Sequence, residues 1–188
     1  MNENETRVGR PRSEAARASV LHAVDDLLIE EGYAAMSMKG IAARAGVSRQ
    51  TVYRWWSTKA EILFEASVLD AVQELAVPPA ETALDELVSY LQALAEFLTE
   101  SPAGAAYRAL LGEAQHDREV ANLIASRDVV NESAKTVIER TVRSPVIGLE
   151  QASAELVGPL FFAVLSGRGT ASLDLRSLAQ RFLGAASR

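Results

Sequence analysis

The chain has 188 residues, 48% of them hydrophobic, and no cysteine. It can hold one mid-sized domain or a small domain joined to a larger one, and it can build neither a disulfide nor a thiolate site. No long apolar run suggests a membrane span and MNENETRVGRPR lacks the apolar segment of a signal peptide, so cytoplasmic residence without membrane attachment is expected. The net charge of −6 divides unevenly: residues 1–60 carry nine Lys/Arg against seven Asp/Glu, and residues 61–188 carry ten against eighteen, the asymmetry expected when one end alone meets phosphate.

In chain order, residues 1–12 read as a flexible basic arm containing RVGRPR. Its Arg7, Arg10 and Arg12 suit a narrow minor groove, where the potential is most negative, though a solubilising tail has the same composition. Ser13 is placed to cap a first helix with Ala16, Val20, Val24, Leu27 and Leu28 in one stripe, ending near Gly32.

Residues 37–59, SMKGIAARAGVSRQTVYRWWSTK, carry the strongest signal. Ser37 can cap a short helix with Ile41 and Ala42 turned inward, Gly46 supplies the bend, and Ser48 caps a second helix with Val52 and Trp56 on one side. This is the helix-turn-helix layout, whose second helix enters the DNA major groove. Lys39, Arg44, Arg49, Arg54 and Lys59 fall inside it, with no acidic residue between Gly32 and Ala60.

At 3.6 residues per turn, Arg49, Gln50, Tyr53 and Arg54 share the side opposite Val52 and Trp56. Arginine can give two hydrogen bonds to guanine, and a glutamine amide can pair twice with adenine. Tyr53 fits a phosphate or a thymine methyl, Ser48 and Thr51 can donate to phosphate, and Lys59 adds a charge at the next helix start. Arg54 fits a phosphate contact or a solvated charge equally well. Trp55 fits backbone contact or core packing, and Trp56 fits the core.

Thr58 and Glu61 have capping-box spacing for a fourth helix, which Pro78-Pro79 closes. Residues 82–99 are apolar over so wide an arc that the helix belongs at the centre of a bundle. Helices over about 103–114 and 118–142 follow. Residues 150–166 include LVGPLFFAVL, apolar all round, whose second cover could be another copy of the protein. Gly158-Pro159 should kink or delay that helix, and Leu175, Leu178, Phe182 and Leu183 mark an amphipathic last one. The fold class is all-α, about nine helices. The organisation is an arm over 1–12, a three-helix DNA-binding domain over 13–60 and a helical bundle over 61–188.

An enzyme is not expected. The chain has no cysteine nucleophile, glycine-rich phosphate loop, HExxH or nucleophile elbow, and no cofactor is implied. His22 with Asp25 and Asp26 has metal-like spacing on a helix face, but a solvated polar face is the better reading, so no metal is expected. His116-Asp117 reads as a cap. Tyr90, Phe97, Tyr107, Phe161 and Phe162 are the aromatics available to line a pocket, with Arg108 or His116 as a polar anchor; each equally suits ordinary packing. The acidic bundle favours a cationic or neutral ligand.

The stretch SEAARASVLHAVDDLLIEEGYAAMSMKGIAARAGVSRQTVYRWWSTKAEIL resembles the DNA-binding domain of the TetR (tetracycline-repressor) family, over roughly a third of the chain. The resemblance rests on a first helix ending in GY, then IAARAGVS, a Thr-Val-Tyr core, an aromatic pair and a lysine. It implies a homodimeric repressor on an inverted repeat of double-stranded DNA, released when a small molecule binds the C-terminal domain. By family role, Arg49 and Gln50 would reach bases while Thr51, Tyr53 and Lys59 meet phosphates. ELVGPLFFAVLSG resembles the family's penultimate helix, which implies dimerisation through the last two helices. Trp55 departs from the smaller or more polar residues usual at its position, and Gln50 is not the small residue often found at its own, which implies an individual operator sequence. The alternative is a dimeric architectural or partner-docking factor with no effector.

Overall fold

The computed structural model describes residues 9–143 and 146–186, and the side chains from residue 13 onward. Among them are ten helices and no strand: α1 Gly9–Ala35, α2 Met38–Arg44, α3 Arg49–Tyr53, α4 Lys59–Glu74, α5 Ala83–Thr99, α6 Pro102–Ala114, α7 Arg118–Ser126, α8 Val129–Thr141, α9 Leu149–Leu165 and α10 Leu175–Ala186. The chain divides into two compact units, one ending at Ser67 and the other starting at Val68, with the break inside α4.

The first unit is built as its capping residues dictate. Ser37 is extended (φ −138°) and accepts from the Gly40 amide at 3.1 Å, while Ser48 accepts from the Thr51 amide at 3.1 Å. Between α2 and α3, Gly46 adopts φ +66°, the left-handed region that a residue with a Cβ disfavours. Val20, Val24, Ile41, Val52, Ile62 and Leu63 are fully buried beneath these helices, and Trp56 is 4% exposed. One difference from the sequence reading concerns α1: its first turn begins at Gly9, before Ser13, so Ser13 is inside the helix rather than its cap. The helix is interrupted at Gly32 (φ 75°, ψ 162°), where the apolar stripe is expected to give out.

In the second unit α5 is the central helix. Leu87, Tyr90, Leu91, Leu94 and Leu98 are completely buried, and α6, α8, α9 and α10 all pack against it. Gly104 permits the α5–α6 contact, because a Cβ there would lie 1.6 Å from the Phe97 carbonyl oxygen. The expected helix over 118–142 is instead two. Arg127 leaves helical geometry (φ −157°, ψ 83°), and Asp128 starts α8 by accepting from the Asn131 amide at 3.1 Å and from the Tyr107 hydroxyl at 3.0 Å. An aspartate that can cap competes with helix continuation, which accounts for ten helices in place of nine. Pro159 is accommodated within α9, which runs unbroken from Leu149 to Leu165.

The junctions carry their own polar chemistry. Asp117 caps α7 through the Glu119 and Val120 amides. Thr58 caps α4 by accepting from the Glu61 amide at 3.2 Å, but the Glu61 carboxylate reaches one residue further back, to the Ser57 amide at 2.7 Å. Among the described residues no buried side-chain nitrogen or oxygen is left without a partner.

Candidate nucleic-acid interface

The first unit sorts its side chains into a locked inner set and a free outer set. Val52 and Trp56 anchor α3 inward, and the Trp56 indole N–H donates to Glu65 Oε2 at 3.0 Å. The Arg17 guanidinium donates to the same oxygen at 2.7 Å, tying α1 to α4. Sequence spacing gives no sign of this three-residue link, because its members are 48 and 9 residues apart.

Two of the five cations in the motif are engaged by partners within the unit. Arg44 pairs with Glu30 and approaches Asp26 at 3.7 Å, so the hydrogen bond from Arg44 holds the Glu30 carboxyl below the usual carboxylate range. This also gives Asp26 a partner on the protein itself. Lys59 donates to the carbonyl oxygens of Tyr33 at 2.7 Å and Met36 at 3.1 Å, with its ammonium 4.2 Å from the Tyr33 ring centre. These carbonyls belong to the chain end after the α1 interruption, where unsatisfied acceptors collect and a cation is favoured.

The outer set is different in kind. Arg49 and Gln50 are exposed on the first turn of α3, Tyr53 is 49% exposed on its last turn, and none of the three has a side-chain hydrogen bond or ion pair among the described residues. Ser48 and Thr51 flank them, their hydroxyl oxygens 2.9 Å apart. Arg54 follows, its guanidinium carbon 4.7 Å from the Trp55 ring centre. Ser48, Arg49, Gln50, Thr51 and Tyr53 therefore come together on and around one short helix, while Lys59 is committed beside it. Arg7 lies outside the described residues, as do the side chains of Arg10 and Arg12.

Three of the aromatics singled out for a pocket meet in a row, the Tyr107 ring centre lying 6.0 Å from that of Phe97 and 6.3 Å from that of Phe161. Tyr90 lines a cavity of about 280 Å³ with Val72, Leu75, Val129, Ser133 and Val137. Phe97 lines a groove with Glu74, Glu96 and Glu100; Tyr107 and Phe161 line another with Asp128, Asn131 and Glu150. Phe162 is 65% exposed. Arg108 is directed to the Leu98 carbonyl, and His116 is exposed. Burial pushes the Tyr90 and Tyr107 phenols well above the ordinary tyrosine value, so both stay neutral. Tyr90 is satisfied by Ser133 at 3.0 Å. The cavity beside Tyr90 draws its walls mainly from the end of α4 and from α8, where Arg140 donates to Glu86 at 2.6 Å and to the Val77 carbonyl at 3.0 Å. A reading that looks for aromatics passes over these aliphatic and arginine walls.

A capped helix, a glycine bend and a second capped helix with a free basic and polar outer face define a helix-turn-helix DNA-binding protein. Comparison with known proteins gives the family. Residues 20–66 match the family described as bacterial regulatory proteins, tetR family. The chain is 32% identical over 163 residues to the HTH-type transcriptional regulator YdeS of Bacillus subtilis strain 168, covering 84% of this chain and 82% of that one. It is 43% identical over 60 residues to the DNA-binding transcriptional repressor TetR of Mycobacteroides abscessus, which covers 32% of this chain and 30% of the relative. The crystal structure of the TetR family transcription regulator SCO0332 superposes with a TM-score of 0.70 at 25% identity, over 92% of this chain and 99% of that one. The chain belongs to the TetR family of transcriptional regulators. That family is regulatory rather than catalytic, and no described helix is long and apolar enough to cross a membrane.

Proposed function

We propose that this regulator is a cytoplasmic homodimeric repressor that binds an inverted-repeat operator and is released by a small-molecule effector. The observation that carries the DNA reading is the division of labour on α3. Val52 is completely buried, while Arg49, Gln50 and Tyr53 stand exposed and unpaired on the other side. Arg49 and Gln50 read base edges from the first turn of the helix, with Tyr53 touching either a base or the backbone. Ser48, Thr51 and Tyr53 meet phosphates, joined by whatever donor capacity Lys59 retains beyond its two carbonyl bonds. Arg7, Arg10 and Arg12 are candidates for the adjacent minor groove.

Dimerisation is proposed through α9 and α10. Phe162 and Leu165 are 65% and 59% exposed one turn apart on α9, an apolar face that a second copy would cover. Two recognition helices must then sit about 34–36 Å apart to meet successive major grooves. An effector that prefers a differently spaced conformation shifts the population off DNA. The cavity beside Tyr90 is the proposed entry for it, since the end of α4 supplies part of its wall.

A fluorescence titration of the full chain against random-sequence duplex tests the DNA reading; no binding at low salt would end it. Thermal-shift screening of a broad compound library tests the effector. A library with no stabilising compound would leave a dimeric DNA-binding factor that docks partners or shapes DNA.

A further inference from the structure

We infer that Trp55 is a positioning residue: its indole is a platform that holds the Arg54 guanidinium for a DNA phosphate just beyond the recognition helix. The inference rests on the DNA-binding reading above and assigns two residues to which that reading gives no role.

A chain of contacts leads from the core to Arg54. Trp56 is 4% exposed and its indole N–H is fixed by Glu65 at 3.0 Å. Trp55 packs edge-on against Trp56, ring centres 5.5 Å apart and planes 74° to each other, and is itself half-buried. Arg54 is exposed, with its guanidinium carbon 4.7 Å from the centre of the Trp55 ring. Each group restricts the next, so a side chain that ordinarily samples many rotamers is held over one surface.

The manner of holding matters. A cation held over a ring face spends no hydrogen-bond donor on that contact, so the guanidinium N–H groups stay available. Among the described residues this guanidinium has no hydrogen bond or ion pair. That separates it from Arg17, Arg44 and Lys59, whose cationic heads are all engaged within the unit. Two in-plane donors fit two oxygens of one phosphate. Arg54 follows the last turn of α3 (Arg49–Tyr53), whereas base edges are met by the N-terminal part of a recognition helix. Phosphate is therefore the partner the position fits.

The test is a set of binding titrations with the full chain, a duplex enriched from a random pool, and several salt concentrations. Arg54→Ala should weaken binding about tenfold and make the slope of log affinity against log salt shallower by about 0.9. Trp55→Leu keeps the charge, so it should weaken binding about threefold to fivefold with the slope unchanged. Combined with Arg54→Ala it should have no further effect. Trp55→Tyr, which keeps a stacking ring, should recover most of the loss and serves if Trp55→Leu does not fold. An unchanged slope in Arg54→Ala, or a Trp55→Leu loss of the same size with and without Arg54, would overturn the inference. Wild-type protein that binds no duplex would overturn the DNA-binding reading itself, and that is seen before any variant is made.

Discussion

The ammonium of Lys59, at the first residue of α4, lies 2.7 Å from the main-chain carbonyl oxygen of Tyr33, twenty-six residues earlier, and 4.2 Å from the centre of the Tyr33 ring. With its second bond, to Met36, it closes the end of α1 onto the start of α4 across the base of the helix-turn-helix. Lys59→Ala should destabilise the DNA-binding unit by about 1–2 kcal/mol, the worth of a charge-assisted bond to helix-terminal carbonyls, and weaken binding to every duplex alike. Thermal melts and binding titrations of the same variant check both. A variant with wild-type stability would show that the two carbonyl bonds contribute nothing.

Gln50 has the opposite character: exposed, unpaired, and on the first turn of α3. Gln50→Ala should relax the choice of base at one position in each half-site, at about 1–3 kcal/mol of discrimination, while leaving stability and the salt dependence alone. Repeating selection of duplexes with the variant reads this directly. An unaltered preference would mean Gln50 touches no base.

Gly104 sits where α6 crosses α5, and an added Cβ would fall 1.6 Å from the Phe97 carbonyl oxygen. Neither backbone can yield without parting the helices. Gly104→Ala should therefore destabilise the second unit by about 3 kcal/mol or more, although alanine is the better helix former. A melting temperature equal to or above wild type would contradict the close approach.

Phe162→Glu places a charge on the exposed apolar face of α9. The proposed dimer should dissociate by at least tenfold in equilibrium constant, equivalent to about 1.4 kcal/mol, while the monomer keeps its helical content. Sedimentation equilibrium measures it. Unchanged association, or a wild-type protein that is monomeric throughout, would place the interface elsewhere or remove it.

The carboxyls of Glu30, Asp85, Glu150 and Asp174 are all held below their ordinary values. The leading causes are hydrogen bonds from Arg44, Thr82, Lys135 and the Ser177 amide, in that order. A lowered folded-state pKa contributes stability that is present above the unfolded value and lost as pH falls through the folded one. Melting temperature should therefore hold steady above about pH 5 and decline below about pH 4. Glu30→Gln should flatten part of that decline. A decline beginning near neutrality would point to other groups.

The sequence made the helix-turn-helix legible because each of its parts is local. Ser37, Gly46, Ser48 and Val52 act through bonds and contacts within a few residues, and all four do in the fold what their types imply. The central place of α5 was equally plain from its wide apolar arc. What could not be read were distant partnerships. The Arg44–Glu30 pair and the Lys59–carbonyl bonds engage two basic residues within the unit, and nothing in a stretch of positive charge distinguishes those from Arg49. The split at Asp128 depends on Tyr107, twenty-one residues away, as well as on the aspartate itself. Of the pocket aromatics Phe97, Tyr107 and Phe161 meet, while Phe162, next to Phe161, faces outward, because ring type does not encode direction.

The central claim is that two copies of α3 read a paired sequence through Arg49, Gln50 and Tyr53. Selection of bound duplexes from a random pool, repeated at several salt concentrations, tests it most directly. An enriched inverted repeat, its half-sites about one helical turn apart and its affinity falling steeply with salt, is the predicted result. Salt-sensitive binding with no enriched sequence would contradict the claim and leave a protein that grips DNA without reading it.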